Sequence, residues 1–287
     1  MKSHPKKEYE IVIQPNSSWL YFDWKGLLEY RDLLVLLVRR DFLARYKQTL
    51  LGPAWFILQP LLTTVIFTVI FGKGVKISTE GIPPYLFYFC ALVPWSYFSQ
   101  CLSAISLSLT GNANLFRKVY FPRLIIPLSI ILSNLMAFLL QLFTFLGFYF
   151  YFKFFTPQGA QIHPTAALFF LPLLLLQTAA TSLGVGLWVA ALTVKYRDFQ
   201  HLVTFAVQLW MYLTPVIYPA SVIPERWRFL IAFNPMAGVV ECHRYAFFGT
   251  GMIESAYLSI SAFTALFFLL TGLLIFNKVQ RTFVDTL

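Results

Sequence analysis

Six long apolar runs constrain this chain more than any other feature. Short polar segments separate them, and they occupy residues 55–71, 85–110, 124–152, 165–194, 200–218 and 256–276. Each run is close to or above the roughly 17 to 25 residues that a membrane-spanning helix needs. Only 12% of the residues are charged, whereas about a quarter are charged in soluble domains. The sequence therefore predicts an all-α integral membrane protein with six transmembrane helices.

The Lys and Arg residues are unevenly distributed over the segments between these runs. With the N-terminus inside, the inner segments hold 16 of the 22 Lys and Arg residues, and positive residues favour the cytoplasmic side of a membrane. We therefore expect both termini in the cytosol, with residues 1–24 as a lead-in and residues 279–287 as a tail. The net charge of +10 does not predict nucleic-acid binding, because the cations lie between apolar runs and form no continuous basic surface.

Residues 25–51 have the pattern of an amphipathic helix. The residues at spacings that share one helix face are Leu27, Tyr30, Leu34, Leu37 and Val38. The longest uninterrupted apolar run in this part, residues 33–38, is much too short to cross about 30 Å of hydrocarbon. We expect this helix to lie in the membrane interface. A soluble amphipathic helix docked on a partner protein is the alternative.

A short cationic segment, GNANLFRKVYFPR at residues 111–123, separates the second and third runs. Glycine and asparagine end the preceding run, and prolines begin the next. A short helix over residues 113–120 fits between these breaks, and the charges of Arg117 and Lys118 favour the cytosolic face. We interpret this segment as the place where a soluble partner binds the membrane protein.

The six runs contain no Asp, Glu, Lys or Arg. Ion-driven transporters and intramembrane enzymes keep such groups within the bilayer, because a proton relay or a general acid must titrate there. The sequence also has no phosphate-binding loop of the G-x-x-x-x-G-K-[ST] type and no serine-hydrolase or metalloprotease motif. We therefore expect no catalytic residue, no metal ion and no cofactor in this chain. Energy for any transport has to come from another protein.

The segment between the fifth and sixth runs, residues 219–255, is too long for a tight turn. It holds two short apolar pieces, residues 229–233 and 236–240, which Asn234 and Pro235 divide. Neither piece is long enough to span the membrane. We expect two short re-entrant helices on the outer face, since such backbone is tolerated where protein covers it or where it lines a cavity. A plain amphipathic outer loop is the alternative.

Aromatic residues make up 18% of the chain, and some of them are candidates for lining a passage. Aromatic planes suit sugars, because the C–H faces of a sugar pack on a ring without needing fixed charge. Rings that face lipid or form interfacial belts are the alternative. The candidates are Tyr85, Tyr88, Trp95, Tyr97, Phe98, Phe143, Tyr149, Trp210 and Tyr212.

Six blocks of the sequence, in order, resemble the permease subunits of ABC-2 type exporters. The resemblance is strongest to the branch that exports lipid-linked polysaccharides such as O-antigen and teichoic acid. The blocks are RYKQTLLGPAWFILQPLLTTVIFTVIFG at 45–72, PYLFYFCALVPWSYFSQ at 84–100, NANLFRKVYFPR at 112–123, KYRD at 195–198, LTPVIYP at 213–219 and NPMAGVVECHRYAFFG at 234–249.

The resemblance implies a type V exporter-like fold with an interface helix at residues 25–51 and a six-span domain at residues 52–278. It implies a homodimer in the bacterial inner membrane, surrounded by membrane lipids. Two separate nucleotide-binding subunits would bind ATP and magnesium, and the substrate would be a glycan linked to undecaprenyl diphosphate. Residues 112–123 would form the coupling helix that sits in the ATPase, and residues 223–249 would form outer gate helices.

The resemblance also assigns individual residues. Those for coupling are Asn112, Asn114, Leu115, Phe116, Arg117, Lys118, Tyr120 and Arg123. Those for the cytosolic entrance of the lipid diphosphate are Arg45, Lys47, Leu51 and Gly52. Those for the outer gate are Pro219, Asn234, Pro235, Glu241 and Arg244. Ordinary anchoring to anionic lipid is the alternative role for the cations at the entrance.

Two rival functions are less consistent with the sequence. A membrane glycan polymerase or ligase would need large outer loops rich in carboxylates or arginines, whereas only four Glu residues fall in the predicted outer segments. An ABC-2 permease for lipids or drugs usually carries larger outer domains or a fused ATPase.

Overall fold

A computed structural model describes residues 24–46, 50–196, 198–251 and 253–282. The regular structure in these ranges is helical, with no strand among them. The helices are α1 (Trp24–Glu29), α2 (Arg31–Tyr46), α3 (Trp55–Phe67), α4 (Pro84–Ser106), α5 (Ser108–Gly111), α6 (Ala113–Lys118), α7 (Ile125–Phe155), α8 (Leu171–Lys195), α9 (Phe199–Leu213), α10 (Glu225–Ala232), α11 (Pro235–Phe248) and α12 (Ser255–Thr282). The π-helical turns Thr68–Gly74 extend α3.

The predicted lead-in and tail are almost entirely outside the described residues. Of residues 1–24 only the last is described, as the start of α1, and of residues 279–287 those up to Thr282 form the end of α12. The predicted amphipathic helix is divided at Tyr30 into α1 and α2. The second of these packs along α7, with Leu37 of the predicted stripe buried. Its location at a membrane interface stays a prediction.

Four helical segments are long and apolar enough to cross a membrane, among the residues that the structure describes. They are Trp55–Gly74, Ile125–Phe155, Ala166–Lys195 and Ser255–Gln280. These correspond to the first, third, fourth and sixth predicted runs. The helix of the second run, α4, has 23 residues and so reaches about 34 Å, but it is less apolar than the other four.

The predicted fifth span is shorter than the sequence suggested. The apolar run continues to residue 218, but α9 ends at Leu213 and has 15 residues, which is about 22 Å of helix. Thr214 is extended, with ψ at 140°, because Pro215 disfavours a helical conformation in the residue before it. The count of six spans is therefore not established by helix length and composition.

Helix α4 is the centre of the bundle. It packs against α3, α7, α8, α9 and α11, and most of its side chains are buried. Helices α8 and α12 approach each other closely where Gly184 meets Gly272. A Cβ atom on either glycine would overlap the backbone of the other helix, so only the absence of a side chain permits this approach.

Chain direction sorts the connecting segments into two ends of the bundle. Helices α5 and α6 join the end of α4 to the start of α7, and α8 also ends on that side. Helices α10 and α11 follow α9 at the opposite end, where α12 begins. The structure therefore places the cationic segment and the α10–α11 pair at opposite ends.

Candidate functional site

The cationic segment folds into one short helix and an extended return. Helix α6 begins after Asn112, whose carbonyl accepts hydrogen bonds from the backbone of Leu115 and Phe116 at 2.9 and 3.2 Å. The Asn112 amide donates backwards to Ser108 O at 2.9 Å. The sequence predicted a helix over residues 113–120, but α6 ends two residues earlier because Val119 is extended. We call residues 112–123 the coupling segment.

An aromatic contact packs the coupling segment against the bundle. The rings of Phe116 and Phe121 lie 5.5 Å apart, and Phe121 is buried. The guanidinium of Arg123 lies 5.8 Å from the centre of the Phe116 ring. Partial burial lowers the pKa of the Arg123 guanidinium from its ordinary value, although an arginine remains charged at neutral pH. Arg123 therefore stabilises the segment internally.

Four of the remaining coupling residues are exposed, whereas Leu115 is not. Arg117, Lys118 and Asn114 are exposed, and Tyr120 is 90% exposed. Leu115 packs against the core, which fixes the side of α6 that faces the protein. The structure thus leaves two adjacent cations and an aromatic ring of this segment exposed.

The amphipathic helices contact this segment directly. The hydroxyl of Tyr30, at the junction of α1 and α2, donates to the carbonyl of Tyr120 at 3.3 Å. Helix α2 also packs along α7. Nothing in the sequence pattern indicated this bond, because the two residues are 90 positions apart.

The predicted entrance residues are only partly described. Lys47 lies outside the described residues, and for Arg45 only the backbone, in the last turn of α2, is described. Leu51 is exposed. Gly52 has a φ of +51°, a left-handed conformation that favours glycine, so this residue makes the turn between α2 and α3. The role of these four residues stays a prediction.

The nine candidate rings divide into three groups by position. Five are buried inside the subunit: Tyr88, Trp95, Tyr97, Phe98 and Tyr149. Tyr85 and Trp210 are partly exposed, and Phe143 and Tyr212 are exposed. Hydroxyl groups of two buried rings have backbone partners, Tyr97 with Ile131 O at 3.3 Å and Tyr149 with Phe247 O at 3.1 Å. In this conformation the buried five pack helices together.

The sequence placed Glu241 and Arg244 in an outer segment, and the structure buries both. Arg244 has no exposed surface. It donates to Glu241 Oε1 at 3.0 Å, to Val216 O at 2.7 Å and to Tyr218 O at 3.2 Å. Its guanidinium also lies 3.8 Å from the centre of the Phe87 ring. This burial arises because α11 packs against α4, α8 and α12, which a local sequence pattern does not reveal.

Asn234 joins α9 to α11. Its side-chain oxygen accepts hydrogen bonds from Trp210 Nε1 at 3.0 Å and from Met236 N at 3.1 Å, and the second of these caps α11. Its amide nitrogen donates to Thr214 Oγ1 at 2.9 Å. Pro235 occupies the first position of α11, where a missing N–H costs nothing, and Pro219 is buried nearby.

Two residues that sequence reasoning did not use contact each other at the same end of the bundle. Cys90 Sγ lies 3.3 Å from His243 Nδ1, and both are buried. Their separation of 153 positions leaves no local signal. They belong to the same packed region as Arg244, and they connect α4 to α11.

The family model and the similar proteins that match this chain indicate the same family. The family model described as ABC-2 type transporter matches residues 32–248, about three quarters of the chain. The O-antigen export system permease protein RfbA of Klebsiella pneumoniae is 30% identical over 257 residues, which cover 89% of this chain and 95% of that protein. The protein of the same name from Myxococcus xanthus is 28% identical over 267 residues, which cover 92% of this chain and 98% of that protein.

The matched region begins in α2 and ends at the last residue of α11. It therefore includes the coupling segment, the central helix α4 and the α10–α11 pair. On this extent of similarity, the chain belongs to the ABC-2 type transporter family.

Proposed function

We propose that this protein is the permease subunit of an ATP-driven exporter of lipid-linked polysaccharide. The observation that carries the proposal is the nearly full-length similarity to two permeases named for O-antigen export. The structure agrees with it. Among the described residues, the buried Asp, Glu, Lys or Arg side chains are Glu241 and Arg244, and these two form an ion pair. A bundle with its charges paired in this way is poorly suited to carry a proton or cation through the membrane.

The energy for transport comes from a partner ATPase that docks on the coupling segment. The exposed Arg117, Lys118 and Tyr120 support this docking site. Two nucleotide-binding subunits bind ATP and magnesium, and this chain binds neither. ATP binding draws those subunits together, and α6 transmits the movement to α4 and α7, between which it is connected.

The polysaccharide passes between two copies of this chain. Many large apolar side chains on α3 and α9 are exposed in the single subunit, including Val65, Ile66, Phe205 and Leu209. A second copy covers part of that surface, and lipid covers the rest. The partly exposed and exposed rings Tyr85, Trp210, Phe143 and Tyr212 are the candidates that remain available to contact a glycan, and the α10–α11 pair closes the outer end.

The substrate is anchored to undecaprenyl diphosphate and enters from the cytosolic side. Arg45 and Lys47 support this entrance, because cations form strong hydrogen bonds to phosphate.

Both termini are cytosolic and the protein lies in the bacterial inner membrane. Alkaline phosphatase fused after residue 287 should be inactive, and fused in the loop between α3 and α4 it should be active.

Deletion of the gene tests the function directly. We expect the deletion strain to lose its long-chain surface polysaccharide and to accumulate the lipid-linked form inside, with recovery when the intact chain is supplied. The measurement is immunoblotting of surface polysaccharide and mass spectrometry of extracted lipids. Normal surface polysaccharide in the deletion strain would contradict the proposal.

A further inference from the structure

A polar cavity lies within the helical bundle, between α3, α4 and α7. Its volume is about 340 Å³, within the range of roughly 300 to 1,000 Å³ that is usual for small-molecule sites. The polar residues that line it are Gln59, Thr63, Ser96, Ser99, Gln100 and Gln141. Gln59 is near the start of α3 and Ser99 is near the end of α4. Leu92 and Gln141, however, are near the middle of α4 and α7. The cavity therefore extends from the middle of the bundle toward the end that carries the coupling segment.

Gln141 is the buried member of this lining. Its side chain is 2% exposed, and its Oε1 has no hydrogen-bond partner among the described residues. An unpaired buried acceptor destabilises a protein, so its presence at a cavity wall points to a ligand that donates to it. Two neighbouring hydroxyls donate to backbone oxygens, Thr63 to Gln59 O at 3.0 Å and Ser99 to Ser96 O at 3.1 Å. Their own oxygens still have capacity to accept.

The chemistry of the lining selects an uncharged ligand with several hydroxyl groups. None of the ten residues that line the cavity, all described by the structure, is charged. A phosphate or carboxylate would need a cation to offset the loss of its hydration. Amides and hydroxyls, in contrast, both donate to and accept from sugar hydroxyls. Trp55 and Phe56 add rings to the wall, on which the C–H face of a sugar packs.

We infer that this cavity is a binding site for one neutral sugar unit of the exported glycan. The inference rests on the proposed function and adds to it a location and a set of contacts. The diphosphate of the same substrate stays outside the cavity, since no cation lines it. The glutamines and serines of α3 and α4 hold the sugar hydroxyls. The Gln141 side chain, whose Oε1 is covered in the unliganded subunit, turns to accept one of them.

The test uses the full chain with its ATPase in lipid nanodiscs and two photoreactive probes. One probe is a polyprenyl-linked neutral disaccharide with a diazirine on the sugar, and the other is phosphatidylglycerol with a diazirine on its headgroup. We expect the sugar probe to label peptides from α3, α4 and α7 near the cavity, as mapped by mass spectrometry. Absence of this label, or equal labelling by the phospholipid probe, would overturn the inference.

Two matched glutamine variants separate binding from folding. Gln141→Met should reduce labelling by the sugar probe about tenfold, as expected for one hydrogen bond to a buried group. It should leave the melting temperature unchanged or higher, because the removed Oε1 had no partner. Gln177→Met is the control, since its amide bonds to Ser261 Oγ at 2.9 Å, away from the cavity. It should lower the melting temperature and leave labelling intact.

Gln100→Met, at a less buried position of the lining, provides a second variant if Gln141→Met fails to fold. It should also reduce labelling by the sugar probe. Unchanged labelling in the folded variants would overturn the inference. The proposed function is judged separately by the deletion strain. If surface polysaccharide depends on the gene while the cavity is not labelled, the sugar site is wrong and the export function stands.

Discussion

The coupling segment and the α10–α11 pair look similar in sequence and differ sharply in structure. Each consists of short helical sequence between long apolar runs, and each carries several charges. In the coupling segment Arg117 and Lys118 are exposed. In the α10–α11 pair Arg244 is fully buried and joined to Glu241 and to two backbone carbonyls.

This difference shows what a charge does at each end of the bundle. A buried cation must be paired and hydrogen-bonded, because removing it from water is expensive. Arg244 therefore acts on the fold, holding the chain after α9 against α11. The exposed cations are already hydrated and contribute little to folding. They face solvent, which is why we assign docking to the coupling segment.

The largest effect on stability is expected at Arg244. Arg244→Met leaves the buried Glu241 carboxylate without the cation that offsets its charge, although Ala220 N still donates to it at 3.3 Å. The variant also removes the donors to Val216 O and Tyr218 O. We expect the free energy of unfolding to fall by about 3 to 5 kcal/mol, measured by thermal unfolding of the detergent-purified protein. The double variant Glu241→Gln with Arg244→Met should recover part of the loss, because it removes the unpaired charge. If the Arg244→Met protein were as stable as the parent, Arg244 would have no structural role.

Two asparagines at helix starts give a smaller and directly matched comparison. Asn234→Ala loses the cap of α11 and the bonds to Trp210 and Thr214, and it should cost about 1 to 2 kcal/mol. Asn112→Ala loses one bond, to Ser108 O, in a more exposed place and should cost only about 0.5 kcal/mol. Both are measured by the shift in melting temperature. Equal shifts would contradict the contrast between the two ends.

Tyr30→Phe tests the link between the amphipathic helices and the coupling segment. It removes a single hydroxyl whose bond to Tyr120 O is 3.3 Å long and exposed. We expect a loss of about 0.5 kcal/mol and faster amide hydrogen exchange in residues 112–123. Exchange that is unchanged there would show that the bond does not order the segment. Tyr151→Phe, which alters an exposed tyrosine elsewhere, is the control.

The smallest change in stability, together with a large effect on export, is expected at the exposed cations of the coupling segment. Replacing Arg117 and Lys118 with Glu should change the free energy of unfolding by no more than about 0.5 kcal/mol, because both side chains are exposed. Export of surface polysaccharide should nevertheless be lost and the ATPase should no longer copurify, since the surface charge is reversed. Replacing Lys73 with Glu, an exposed cation in the π-helical turns after α3, should leave both intact. Unchanged export in the double variant would remove the docking assignment.

Much of the helical architecture could be predicted from the sequence. The apolar runs indicated the long helices, because an apolar segment of about 20 residues without charges has few alternatives to a spanning helix. The break at Asn234 and Pro235 predicted two helices in the segment, and α10 and α11 are divided there. The errors were in helix ends. The apolar character of residues 214–218 concealed the effect of Pro215, and Val119 ended α6 early.

The candidate rings show the limit of residue type as a guide. Nine aromatic residues had the chemistry expected of a glycan passage, yet five of them are buried inside one subunit. Their neighbours decide this, as in Phe98, which packs on Trp95 and Trp210 at 5.3 and 5.1 Å. The polar cavity, with Gln59, Ser99 and Gln141, draws on three helices that are far apart in sequence.

The sequence by itself determined that this protein is a helical membrane protein with no Asp, Glu, Lys or Arg in its apolar runs. It also determined that the cationic segment lies between two of these runs. Those properties are local, because hydropathy and charge are fixed by the residues in a single stretch. Only the tertiary structure decided that Arg244 is buried and Arg117 is exposed. The reason is that burial depends on contacts with distant residues. Phe87, Val216 and Tyr218 surround Arg244, whereas Arg117 on α6 stays exposed in the described part of the chain.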